Sequence, residues 1–349
     1  MLIRQFRGEE FINREKEIGF FLNYFKQNPK RVVWVYGPKS TGKTTLIEYI
    51  IENYLLEDKS YNVKYINFRR VLISSFDNFI ESILEERDEN EIQTELNRNY
   101  NIFGLFKLEA KTLRKIKENK KNLFNYLLEE FRKEKKKSIF IIDEIQSLQD
   151  IYINGNKKLL NEFLNFCVSL TKETHLSHVL ILTSNTIFLS EIYSNAKMKV
   201  TSDFKLIDHL GYEEIKTWLI SKKDLGFRGE DIELIYEYLG GSVAHIKKLL
   251  DFRKEYNSLQ EQLEEMVEIA ENEIDFFIQT NKLSKEDIDR FKFVSQKIME
   301  NGYFDNKKYK GYIDIVSKFT EVEILFYDAI KNITKANSRI YVKAFERIV

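Results

Sequence analysis

A single cysteine, Cys167, occurs in 349 residues, so no intramolecular disulfide is possible and no cysteine cluster offers metal ligands. It lies in NEFLNFCVSL and reads as a small buried hydrophobe on a helix. Proline is almost as scarce. Only Pro29 and Pro38 occur, so few helix interiors are broken by a fixed φ and a missing N–H. Neither sign of charge is in excess. Lys+Arg and Asp+Glu number 55 each, which leaves no global field toward nucleic acid or acidic lipid. Contact with nucleic acid therefore has to come from a local patch. No apolar run approaches the ~18 residues of a membrane span, so no membrane insertion is expected. The opening MLIRQFRGEEF is charged at once and lacks the apolar stretch of a secretory leader, which makes the cytoplasm the expected location.

What is present is enough apolar residue, 43%, for real cores, in a length that suits two or three domains. Short β-rich runs alternate with helical patterns. RVVWVY (Arg31–Tyr36), NVKYINF (Asn62–Phe68), SIFIID (Ser138–Asp143) and HVLILTSN (His178–Asn185) read as strands. Between them, helical spacing is found in TTLIEYIIENYL (Thr44–Leu55), FDNFIESILEE (Phe76–Glu86) and the long stretch Lys111–Lys137. The polar text from Arg87 to Asn101 reads as a solvated insertion. This alternation predicts a parallel α/β sheet covered on both faces. After Leu206 short helical patterns take over, separated by LGFRG and GG, as in a helical lid; Leu259–Thr280 continues as a long helix. The last part holds two helical patterns and then EILFYDAIKNITKANSRIYVKAF, whose two β-like runs around a polar turn predict a hairpin. The expected division is a core over 1–206, a lid and connecting helix over 207–279, and a small winged-helix-like α+β module over 280–349.

The chemistry is concentrated in GPKSTGKT (Gly37–Thr44), which fits G-x-x-x-x-G-K-[ST] with a strand before it and a helix after it. Backbone N–H groups of Gly37, Pro38's neighbours Lys39, Ser40 and Thr41, and Gly42 make an anion-binding nest, to which the helix N-terminus adds its dipole. Lys43 is the cation for β and γ phosphates, Thr44 offers a hydroxyl to Mg²⁺, and Thr45 reaches the α-phosphate. The expected ligand is thus a nucleoside triphosphate, ATP with Mg²⁺. Four apolar residues, Ile139–Ile142, run into Asp143 and Glu144 at the end of a strand that opens on the ligand crevice. Asp143 is expected to hold the metal and Glu144 to polarise the attacking water. At the end of the next strand, Thr183, Ser184 or Asn185 is expected to meet the γ-phosphate or the water, Asn185 first because an amide donates to phosphate and accepts from water together; the alternative is a plain strand-end turn.

With these elements and the opening FINREKEIGFFLNYF (Phe11–Phe25), the chain resembles the archaeal-type P-loop ATPases, relatives of the STAND and AAA+ groups, over about residues 6–255. The resemblance implies that the box of Asn13, Arg14, Glu15 and Glu17 closes over adenine and ribose. Two departures stand out. The lid stretch GGSVAHI (Gly240–Ile246) has Val243 where the family has proline, with His245 either near phosphate or simply packed. No arginine occurs between Arg132 and Arg228, where AAA+ rings carry their finger, so a switch is expected rather than a ring motor. The expected function is a slow ATPase, about 10⁻⁴–10⁻² s⁻¹ by analogy with unassisted switch NTPases, gated by ATP and ADP. The alternative is a DNA-binding initiator or regulator that uses ATP to license contact with little turnover. Lys307, Lys308, Lys310, Lys331, Lys335, Arg339, Lys343 and Arg347, interleaved with Tyr309, Tyr312 and Tyr341, are the cations of the terminal module that would meet DNA or, otherwise, a protein. Oligomeric state is not legible.

Overall fold

The computed structural model describes residues 3–86, 105–108, 110–118, 123–153, 155, 157–194 and 196–349. An antiparallel hairpin of β1 (Ile3–Phe6) and β2 (Glu9–Ile12) leads into α1 (Glu15–Lys26). There follow β3 (Val32–Tyr36), α2 (Lys43–Ile50), β4 (Tyr61–Asn67), α3 (Phe76–Ile83), and a short parallel pair, β5 (Leu84–Glu86) and β6 (Phe106–Leu108). Next come α4 (Ala110–Glu118), α5 (Leu123–Lys133), β7 (Lys137–Asp143), the two-residue strands β8 (Tyr152–Ile153) and β9 (Lys157–Lys158), and α6 (Leu159–Val168). β10 (Ser177–Thr183), α7 (Thr186–Ser194), α8 (Ala196–Thr201) and β11 (Ser202–Leu206) complete the first half.

Five strands form one parallel sheet in the order β11-β3-β10-β7-β4. Side chains alternate between its faces, as the pleat requires. Val32, Trp34, Phe140, Ile142, Val179 and Ile181 pack in one buried cluster with Phe79, Phe131 and Phe163 from the helices α3, α5 and α6. Val33, Val35, Ile139, Ile141, Leu180 and Leu182 pack in another with Phe21 and Phe25 of α1 and Leu46 and Ile47 of α2. Burial on both faces is why these strands read as unbroken apolar runs. The register brings Tyr36, Asn67, Asp143 and Thr183 to the C-terminal edge, where Thr183 pairs with Tyr36, Asn67 with Asp143, and Asp143 with Leu182, one residue short of Thr183.

The second half is α9 (Tyr212–Ser221), α10 (Gly229–Leu239), α11 (Val243–Phe252), α12 (Leu259–Thr280), α13 (Lys285–Asn301), β12 (Phe304–Asp305), α14 (Ile313–Glu321), β13 (Leu325–Asp328), β14 (Ile333–Ala336) and α15 (Arg339–Ile348). β12, β14 and β13 form a small antiparallel sheet. The molecule is thus an α/β P-loop sheet with a helical lid and a small winged-helix-like α+β module. Lid and module share one apolar core. Trp218, Leu239 and Ile246 belong to the same cluster as Leu263 and Ile274 of α12 and Phe291, Phe319 and Phe345 beyond it, and Ile12 of β2 joins them.

Several details depart from the sequence expectation. The helix expected over Lys111–Lys137 ends at Lys133, and Lys137 already begins β7; residues 119–122 and the insertion Arg87–Asn101 lie outside the described residues. The helix after the phosphate loop loosens into π-type turns at Ile51–Leu55. The hairpin in the last stretch is β13–β14, but RIYVKAF is helix. Its run of Ile340, Tyr341 and Val342 favours a strand locally. Burial of Ile340, Tyr341, Ala344 and Phe345 has the helical period instead, and packing decides. No helix among the described residues is long and apolar enough to cross a membrane.

Candidate nucleotide site

The loop between β3 and α2 owes its shape to two glycines. Gly37 has φ of 154°, and a Cβ there would stand 2.1 Å from the carbonyl oxygen of Ile207, so it serves first to let the chain after β11 pass close by. Gly42 has φ of 81° and starts α2 in a left-handed conformation. Between them the hydroxyl of Thr41 donates to the carbonyl of Pro38 at 3.0 Å. Lys43 is buried, and its ammonium donates to the carbonyls of Gly37 at 3.0 Å and Pro38 at 2.8 Å. Burial pushes that ammonium down to about 8, opposed by the charges of Asp143, Glu144 and Glu323. It remains mostly protonated at neutral pH.

Thr44, in the first turn of α2, and Asp143, at the end of β7, meet directly. The threonine hydroxyl donates to Asp143 Oδ2 at 2.7 Å. Asn67 Nδ2 donates to the same oxygen at 3.2 Å, and the Tyr65 hydroxyl lies 3.4 Å away. Burial raises Asp143 to about 6, with the neighbouring Glu144 adding to the rise and the Thr44 bond opposing it. The donors are all oxygens, one hydroxyl and one carboxylate. Among the described residues no group of three or more His, Cys, Asp or Glu comes together. Such a pair suits Mg²⁺, which takes one or two protein ligands and completes its shell with phosphate and water oxygens.

Glu144 adopts φ of 60°, turning its side chain away from the strand direction. One carboxylate oxygen lies 2.6 Å from Arg69 Nη2, and the other accepts a short hydrogen bond from Gln146 Nε2. Gln146 in turn accepts from the Thr183 hydroxyl at 3.1 Å, which links the acid to the end of β10. Asn185 uses its side-chain oxygen to accept from Phe188 N at 2.9 Å, capping α7. That bond serves the turn, and the side-chain amide nitrogen is the group that contact with phosphate or water would use.

The opening box joins the loop to the lid. Asn13 and Arg14 have consecutive positive φ, 53° and 72°. Arg14 is buried; its Nη2 donates to the carbonyls of Thr41 at 2.8 Å and Asp208 at 2.9 Å, and its Nη1 to Glu17 at 3.2 Å. Asn13 donates to Glu214 on α9 at 2.8 Å. Beside Arg14, a cleft of about 70 Å³ runs between Phe11, Thr45, Leu210 and Val243. Ligand pockets commonly enclose about 300–1,000 Å³, so a base entering here must part the lid from the core. His245 accepts or donates with Ser242 Oγ at 2.9 Å, and burial lowers it to about 4, so it is neutral at pH 7.

Sequence reasoning missed Arg69 and Gln146. The pair Arg69–Arg70 directly after a strand and the glutamine of DEIQ were the available signals. It also missed Glu323, which ion-pairs with Lys39 at 2.5 Å and lies far away in the chain.

Comparison with known proteins agrees in extent with the resemblance. The family described as an ATPase domain predominantly from Archaea matches residues 11–249. The uncharacterized ATP-binding protein MJ1076 of Methanocaldococcus jannaschii is 34% identical over 94% of this chain and 96% of its own length. A second ATP-binding protein of that organism, MJECL26, is 33% identical over 97% of each chain. Among solved structures, the ADP form of the Aeropyrum pernix ORC2 protein covers 97% of this chain and 95% of its own, with 13% identity and a TM-score of 0.47. The chain therefore belongs to the archaeal ATPase-domain family, whose members here are ATP-binding proteins.

Proposed function

We propose that this protein is a slow, Mg²⁺-dependent ATPase that works as a nucleotide-gated switch. The observation that carries the reading is the contact of Thr44 with Asp143, which brings the two metal-holding oxygens together beside Lys43 and Glu144. In this mechanism Lys43 leaves the carbonyls of Gly37 and Pro38 and donates to phosphate oxygens. Thr44 and Asp143 would hold the metal, which would supply positive charge against the transferring phosphate. Glu144 orients a water and takes its proton, and it must first let go of Arg69, which otherwise occupies one carboxylate oxygen. Lys39, Ser40, Thr41 and Thr45 complete the phosphate contacts through the loop and the helix start. Asn13 and Arg14 enclose the base side, and Asn185 acts through the shape of the β10–α7 turn.

The chain divides, in this reading, into the core 1–206, the lid 207–279 and the terminal module 280–349. Their shared apolar core supports lid and module acting as one body, which parts from the sheet only if Phe326 and Asp328 release Trp34 and Tyr36. Purified protein is expected to release phosphate from ATP only with Mg²⁺, and to scatter as a different shape with ADP than with a non-hydrolysable ATP analogue. Hydrolysis unaffected by chelator would remove the Thr44–Asp143 pair from the mechanism, and identical scattering curves would end the switch.

Arg14 holds the loop to the start of the lid, away from Asp143 and Glu144. Arg14→Ala should therefore weaken ATP and ADP by a similar factor, roughly tenfold for charge-assisted bonds. Competition titrations give the ratio, and a loss confined to ATP would place Arg14 at the γ-phosphate instead.

One observation favours a second reading in which DNA is the partner. Lys343 and Arg347 are tied to Glu237, Glu264 and Glu271, and Arg339 to the carbonyl of Tyr236, whereas Lys307, Lys308, Lys310 and Lys331 stay exposed, Lys308 over the ring of Tyr309. Stimulation of the ATPase rate by duplex DNA would favour that reading over a protein partner.

A further inference from the structure

The terminal module is docked on the phosphate loop itself. Glu323, in the turn between α14 and β13, places its carboxylate 2.5 Å from Nζ of Lys39. Its φ of 65° is left-handed, uncommon for glutamate, and its N–H is held by the carbonyl of Thr320 at 3.1 Å. Three further contacts fix the module around this point. The Tyr36 hydroxyl donates to buried Asp328 at 3.2 Å, and Phe326 lies in the same apolar cluster as Trp34 and Phe188. His209 Nε2 lies 2.6 Å from the carbonyl of Asn337. While the module stays docked, these contacts keep beside the loop the backbone that carries the carboxylate. Its charge also reaches past Lys39, since it is one of the three acids that keep Lys43 protonated against burial.

We propose that Glu323 is a specificity-determining residue of the nucleotide site, and that its fixed negative charge disfavours the triphosphate relative to the diphosphate. The inference rests on the loop being an ATP site. ATP and ADP share base, ribose and two phosphates, and differ by one phosphate and about one negative charge. Glu323 repels that extra charge and engages the ammonium of Lys39, which would otherwise offset it. Binding of the triphosphate then favours release of the carboxylate from Lys39, which loosens one of the ties between module and loop. Glu323 and Lys39 are 37% and 48% exposed, so solvent and salt moderate the effect.

The test uses the full chain and the variant Glu323→Gln, which keeps size and removes charge, with ADP and a non-hydrolysable ATP analogue titrated calorimetrically at low salt. The analogue should bind about 3–10-fold tighter than to the wild type, while ADP changes by less than about twofold. At about 0.5 M salt the difference should shrink toward nothing. Glu323→Asp, which retains the charge, should keep the wild-type preference. An equal shift of both nucleotides, or none, overturns the proposal. Failure of the wild type to bind either nucleotide would instead overturn the ATP-site reading beneath it.

Discussion

Glu144→Gln should bind ATP nearly as well as the wild type and hydrolyse it about 10²–10⁴-fold more slowly, a barrier higher by roughly 3–5 kcal/mol. The groups proposed to hold phosphate and metal, Lys43, Thr44 and Asp143, do not bond Glu144 and keep their own contacts when it loses its charge. A glutamine at this position still bonds a water but cannot take its proton. Arg69 loses its ion-pair partner, yet its side chain is 64% exposed and finds water instead, so the fold should hardly notice. Single-turnover hydrolysis is the decisive measurement. A rate within about twofold of wild type would mean that another group activates the water. If the ATP-bound shape is the one that engages a partner, this variant should also retain that partner longer in ATP.

Lys43→Ala should cost roughly 10²–10⁴-fold in affinity for ATP, because charge-assisted bonds to the β and γ phosphates are lost at about 1.5–3 kcal/mol each, and less for ADP, which has no γ-phosphate. The loss has a second component. Lys43 is the cation that most directly opposes the rise of Asp143, after the Thr44 bond. Without it the carboxylate of Asp143, about 6 in the wild type, rises further, so the remaining Mg²⁺-dependent affinity should begin to fall at a higher pH than in the wild type. The sign follows from the direction of the shift: a raised carboxylate is ionised above its pKa and neutral below it. Titration with a fluorescent ATP analogue would check both parts, and unchanged affinity would remove Lys43 from the site.

Much of the sheet and the centre of the site were legible because they are written locally. A buried strand, a glycine-bearing loop and a helix start are consecutive in Val32–Ile50, and the acid pair ends an unbroken apolar strand. The helix Leu259–Thr280 was readable to its ends, with Ser258 capping it by accepting from Glu261 N. Other features are not local. The Tyr36–Asp328 bond joins residues 292 apart, and no periodicity or motif announces such a pair. Arg69 on Glu144 depends on the order in which β4 and β7 lie side by side, which spacing along the chain does not encode. At α15 the local preference pointed to a strand, and the apolar face buried against α12 and α13 overrode it.

The hairpin of β1 and β2 is a brace for the lid. Glu10 accepts from Trp218 Nε1 at 2.7 Å, Lys247 bonds Glu9 across 238 residues, and Ile12 sits in the lid's apolar core. During synthesis this brace is therefore made long before the thing it braces. At about 5–20 residues per second, those 238 residues take roughly 12–50 s to appear. A two-stranded hairpin alone is marginal in water, and although Phe6 and Phe11 soon find Tyr49, for that interval Ile12, Glu9 and Glu10 lack their partners in the lid. β3 waits in the same way, since both of its partners, β10 and β11, are translated later. Folding of this chain cannot proceed in the order in which it is made, and its first thirty or so residues are the segment that a co-translational chaperone would have most reason to hold.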